Sequence, residues 1–220
     1  MKQVHFNRII AQNVERIIMK QVFEIKDKET IDGLLASASY GTLAICADDK
    51  PYSLPINFVQ IGEDIYFHGS KSGRKMDILK ENRAASFSVV ESHAIIQSYF
   101  SSTDELACPA THFFKSIMID GEIEFVEAYD EKVQALTALM QKLQPEGKYK
   151  PLSQEAYKKA INATTIYKLI PEMTRAKYKF GQHLSEERFE MVLSHLEQRA
   201  NEMDEETAIM MKTLRSERCN

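Results

Sequence analysis

Tryptophan is absent from the 220 residues, and cysteine, proline and glycine are scarce, at three, six and eight. Cys46, Cys108 and Cys219 are odd in number and far apart. That rules against a disulfide framework and points to a reducing cytoplasm. No C-x-x-C or H-x-x-x-H spacing occurs, and Cys108 with His112 supplies only two ligands, short of a zinc site. Long apolar runs are missing too: Leu43 to Ala47 ranks among the longest, against the ~18 residues of a membrane span. The opening segment, MKQVHFNRIIAQNVERIIMK, breaks its apolar positions with Glu15 and Arg16, unlike a secretory signal. An excess of positive charge is also lacking. With 28 Lys and Arg against 32 Asp and Glu, the chain has no basic surplus to neutralise a phosphate backbone, and nucleic acid is not its expected partner.

What is present describes a globular chain, 44% apolar and 27% charged. Its acidity is local: residues 185–220 hold nine acidic and five basic side chains, which accounts for the net charge of -4. Ile10, Val14, Ile17 and Ile18 predict an amphipathic leader helix over 1–18. Asp27 predicts a helix cap, with Gly41 as the stop. TLAICA, YSLPINFVQI and IYFHG, separated by turn clusters, predict an antiparallel meander, and Pro55 predicts an edge position or a bulge within it. A helix capped by Ser72, a strand over 84–90, an irregular stretch over 91–112 and a strand or bent pair over 114–126 follow. Val133, Leu136, Met140 and Leu143 define an amphipathic helix. Next come a helix over 153–161, two strands over 163–170 and 175–180, and a helical tail striped by Phe189, Val192, Leu193 and Leu196. Consecutive strands with inserted helices predict a mainly β, closed or half-closed barrel with peripheral helices.

The segment with chemical content is Tyr66-Phe67-His68-Gly69-Ser70-Lys71-Ser72-Gly73-Arg74-Lys75. A strand ends at His68-Gly69 and a helix starts near Ser72, with Lys71, Arg74 and Lys75 at its N-terminus. That end of a helix dipole is positive and favours anions, so the cations there have the wrong sign. Two readings follow: a solvated basic turn capped by Ser72, or an anion cradle of helix N–H groups, glycine and cations. Neither a P-loop nor a G-x-G-x-x-G accompanies it.

Four segments, GTLAICADDKPYSLPINFV, IYFHGSKSGRKMDILKENRAASFSV, ACPATHFFKSIMIDGEIEFVEAYDEKVQALTALMQ and TTIYKLIPEMTRAKY, carry a family resemblance in their order and spacing. Over about residues 19–177 the chain resembles the pyridoxamine 5'-phosphate oxidase-like, FMN-binding split barrels, and within them the flavin-nucleotide-binding proteins that include the nitroimidazole-resistance reductases. The resemblance implies a six-stranded split β-barrel over 19–182, with the leader over 1–18 before it and an acidic helical extension over 183–220 after it. It implies FMN as cofactor. The strand Ser53, Leu54, Pro55, Ile56, Asn57 and Phe58 would lie along the ring system. His68, Gly69, Ser70, Arg74 and Lys75 would read the phosphate and ribityl chain, with Lys115 and Ser116 adding polar contacts. His68 stays open between a hydrogen-bonded strand-end imidazole, the active-site histidine of the resembling branch, and a haem ligand.

The function implied is a cytoplasmic, homodimeric FMN-dependent oxidoreductase. It would pass electrons from a donor such as NAD(P)H to a small electron-poor acceptor, nitroaromatic compounds being one class. The alternative is a split barrel that holds flavin or haem for storage or sensing without turnover. The arginine-rich C-terminal segment of a true pyridoxamine phosphate oxidase has no counterpart after Phe180. Ile95, Ile96, Tyr99, Phe100 and Leu106 make the 91–112 stretch apolar enough to form the dimer contact.

Overall fold

The computed structural model describes residues 21–217. The leader helix expected over 1–18 lies outside the described residues. A short 3-10 turn leads into strand β1 (Glu24–Ile25) and helix α1 (Lys28–Ser37). Asp27 caps α1 as the sequence predicts, its carboxylate accepting from Thr30 N at 2.8 Å. The helix ends at Ser37 and not at Gly41, because Gly41 opens β2 (Gly41–Ala47). A Cβ there would sit 2.2 Å from the Phe87 ring, so the glycine serves sheet packing instead of a helix stop.

A tight turn through Asp48 and Asp49, both at positive φ (50° and 57°), joins β2 to β3 (Lys50–Ile56). The pair is antiparallel from Gly41↔Ile56 to Ala47↔Lys50. The expected single run of 52–61 breaks into β3 and β4 (Val59–Ile61). The break falls where Phe58 turns into the core and Asn57 Nδ2 donates to Ser39 O at 3.0 Å. Next come β5 (Asp64–Gly69), α2 (Arg74–Glu81), β6 (Ala84–Ile96), β7 (Thr111–Val126), α3 (Tyr129–Leu143), α4 (Lys158–Ala163) and β8 (Thr165–Lys179), then α5 (Glu186–Arg199) and α6 (Glu202–Ser216). Ordered strand reaches Ile96, so the irregular stretch is shorter than the expected 91–112. β8 is one strand running through Pro171, not two.

The sheet order is β3-β2-β6-β7-β8-β5-β4, with β1 pairing to β8. Six of these strands are long, while β1 and β4 have two and three residues. This is the mainly antiparallel, split-barrel type of sheet with helices that the sequence predicts. Pro55 lies on β3 at one end of the order, the edge position in which a proline is tolerated.

Two compact units divide the chain. One holds Lys26–Glu91 and Ser116–Ala176; the other holds, among the described residues, Gln21–Ile25, Ser92–Lys115 and Lys177–Glu217. Strands β6, β7 and β8 each run from one unit into the other. The helical tail shares its unit with Ser92–Lys115. The first unit is cored by Leu43, Phe58, Phe87, Ile117 and Tyr167, all fully buried. In the second, the stripe of Phe189, Val192, Leu193 and Leu196 is buried as its spacing predicts, joined by Met211 and Leu214. The tail is two helices: Ala200, at φ 48°, ends α5, and Arg199 Nε binds the buried Asp204 carboxylate at 2.8 Å. Among the described residues no helix is long and apolar enough to cross a membrane.

Candidate functional site

The turn between β5 and α2 gathers the charged residues singled out above. Gly73, at φ 108°, is the N-cap of α2, and no side chain caps the helix. Ser72 is therefore not the cap, a correction that follows from backbone geometry: this φ is open to glycine and strained for serine. Ser70 Oγ instead accepts from Ser72 N at 3.2 Å and builds the turn. The N–H donors of the first helical turn are left for solvent or a ligand.

Arg74 and Lys75 are positioned by aromatic rings. The Arg74 guanidinium lies 4.3 Å over the Tyr52 ring at the start of β3. Lys75 Nζ lies 4.4 Å over Tyr167 and 5.4 Å from the centroid of Phe67. Phe67 and Tyr167 stack at 5.1 Å, and Tyr167 Oη donates to Ser70 O at 3.1 Å, fixing the turn above them. Gly69 makes the close approach possible: a Cβ on it would stand 2.5 Å from Lys75 Nζ. Lys71 is turned to another task, donating to Asn162 O at 2.7 Å.

Among the described residues no carboxylate lies within ion-pair distance of Arg74 or Lys75. Burial lowers the Lys75 pKa below the usual lysine value, since the ammonium loses hydration and gains no counter-charge. His68, exposed at the end of β5, also has a lowered pKa, first from desolvation and then from the Lys75 charge. Both causes favour the neutral imidazole. The strand is buried on both sides up to Phe67, so Tyr66 does not share the exposed environment of His68. Tyr66 Oη donates to Glu131 at 2.9 Å.

The remaining expected residues separate. Ser53 and Pro55 on β3 and Asn57 just after it are exposed, while Leu54 and Ile56 are half-buried. Phe58 is a correction: at 0% exposure it offers no surface to a cofactor. Its ring packs edge-on against Phe87 at 4.9 Å, with Lys142 Nζ 3.8 Å from its centroid. Ser116 is half-buried on β7 in the same unit as the cradle. Lys115 belongs to the other unit, where its amine stands 3.7 Å from a Glu206 carboxylate oxygen. Sequence reasoning missed Tyr52 and Tyr167, which hold the two cations. Each comes from a strand remote in sequence from α2, and no local signal in the sequence links either ring to the helix.

A family model described as pyridoxamine 5'-phosphate oxidase matches residues 27–177. An uncharacterized protein of Rhizobium meliloti (strain 1021) is 27% identical over 138 residues, spanning 60% of this chain and 80% of that protein. Among solved structures, a Bacteroides thetaiotaomicron protein proposed to confer 5-nitroimidazole antibiotic resistance aligns with TM-score 0.57 and 22% identity, covering 70% of this chain and 85% of that one. The FAD and heme binding protein of Mycobacterium smegmatis aligns with TM-score 0.58 and 23% identity over 71% and 73% of the two chains. A flavocytochrome of Azotobacter vinelandii aligns with TM-score 0.61 and 19% identity over 74% and 72%. At these identities the structures establish likeness of fold, while the family model spans well over half of the sequence. The chain belongs to the pyridoxamine 5'-phosphate oxidase-like family.

Proposed function

We propose that this protein binds FMN and passes electrons from a reduced nicotinamide, or another donor, to a small electron-poor acceptor, with nitroaromatic compounds the class to test first. The observation that carries the reading is Lys75: a half-buried ammonium, held on two aromatic rings beside an uncapped helix start, with no carboxylate within ion-pair distance among the described residues. Such a site is unfavourable empty and favourable around an anion of phosphate type. Gly69 supports the reading by leaving room for the Lys75 ammonium, which would stand 2.5 Å from a Cβ there.

Bound flavin supplies the electron acceptance and donation, chemistry that belongs to the cofactor. The protein's part is position and charge. Arg74 and Lys75 hold the phosphate, with the first N–H groups of α2 as further donors. Ser53, Leu54, Pro55, Ile56 and Asn57 offer the edge strand to the ring system. Desolvation first, and the Lys75 charge second, disfavour protonation of the His68 imidazole. An anion on Lys75 reverses the electrostatic part of its pKa depression, which prepares the imidazole to act as general acid toward a reduced acceptor. In this reading the protein is a cytoplasmic homodimer.

The spectrum of the purified protein, followed by anaerobic addition of NADH and of NADPH, tests the proposal. Flavin absorbance that bleaches with either nicotinamide is expected. A Soret band without flavin would replace FMN by haem, and flavin that no donor reduces would make the protein a binding module.

A further inference from the structure

We propose that a cavity within the unit of Ser92–Lys115 and the residues from Lys177 onward binds a small organic carboxylate. Its volume is about 230 Å³, below the ~300–1,000 Å³ usual for drug-sized ligands. It suits a compact acid and is too small for a flavin. Lys179 and Arg188 line it, and no aspartate or glutamate does. The Arg188 guanidinium is fixed in place: Nε donates to Ser101 O at 2.7 Å and Nη2 to Ser101 Oγ at 3.2 Å, and Ser101 is only 4% exposed. Those acceptors are neutral, and among the described residues no carboxylate stands within ion-pair distance of Arg188. Lys179 donates to Thr111 Oγ1 on the cavity wall. Ile96 and Phe113, each 1% exposed, close the cavity with apolar surface.

A guanidinium with donors to spare, a second cation and an apolar wall match a carboxylate carried on an apolar body. The guanidinium fork binds both oxygens of such a group, and partial burial strengthens the bond. The cavity draws on none of the cradle residues, which belong to the other unit.

Cys108 lines the same cavity and is exposed, which makes it a reporter. The full-length protein is titrated calorimetrically with benzoate and with its neutral isostere benzamide. In parallel, alkylation of Cys108 by iodoacetamide is followed by peptide mass mapping. Benzoate is expected to bind saturably and to slow Cys108 alkylation, and benzamide to do neither at the same concentration. R188Q and K179M should each weaken benzoate about tenfold or more and leave flavin titration unchanged. Equal binding of benzoate and benzamide, absence of saturable benzoate binding, or variants that bind benzoate like wild type would overturn the proposal. If R188Q fails to fold, K179M and the Cys108 protection decide it.

Discussion

Lys75 and His68 are electrostatically one device. In the flavin-free protein His68 titrates below its ordinary value of 6.5, with desolvation the larger cause and the Lys75 ammonium the second. Two outcomes follow. K75M raises the His68 pKa part of the way back, because desolvation remains, and FMN raises it in the wild type by placing negative charge on Lys75. The sign carries through to stability. As pH falls below 6.5 the unfolded chain takes up the proton first, so this group makes the folded state progressively less stable toward acid, and less so in K75M. NMR titration of the His68 ring protons in the two proteins checks this. A His68 pKa unmoved or lowered by K75M would contradict the coupling.

Two glycines on strands show what each element contributes. A Cβ on Gly69 would meet the flexible end of Lys75, 2.5 Å away, whereas a Cβ on Gly121 would meet backbone, 2.0 Å from Ile170 O and 3.2 Å from Glu172 N. G69A is expected to fold with nearly wild-type stability and to displace Lys75, weakening FMN about tenfold. G121A forces two strands apart and is expected to lose more than ~2 kcal/mol of stability. Urea unfolding and flavin titration of both variants distinguish the roles, and a G69A that binds FMN normally would remove Gly69 from the site. Elements with a strong local signal were legible in the sequence: the Asp27 cap of α1, the Asp48-Asp49 hairpin, the amphipathic α3. β8 read as two strands because Ile170 to Thr174 lack buried alternation around Pro171. The start of α2 was misread because serine is the commoner cap, and only the backbone conformation of Gly73 reveals the true one. The cluster of cations was legible as composition. The rings of Tyr52 and Tyr167 were not, since they meet the α2 cations from strands distant in the chain.

At the scale of the molecule, the apolar stretch expected to pair two chains divides by burial. Ile96 and Phe100 belong to the core, while Ile95, Tyr99 and Leu106 remain 61%, 58% and 61% exposed. Three large apolar side chains outside the core of one unit suit a two-fold contact between copies, and light scattering of the flavin-loaded protein is expected to give twice the 25.2 kDa of the chain. A monomer mass would set the dimer aside and leave the cradle untouched. In the function proposed above, the cradle at the start of α2 would hold a flavin by its phosphate. Charge-assisted bonds to phosphate contribute ~1.5–3 kcal/mol each. The most direct test is titration of apo wild type and R74A/K75A with FMN and with riboflavin, which lacks the phosphate. The folded double variant is expected to bind FMN about a hundredfold or more weakly, and riboflavin to bind both proteins equally and poorly. A folded R74A/K75A protein that retains wild-type affinity for FMN would contradict it.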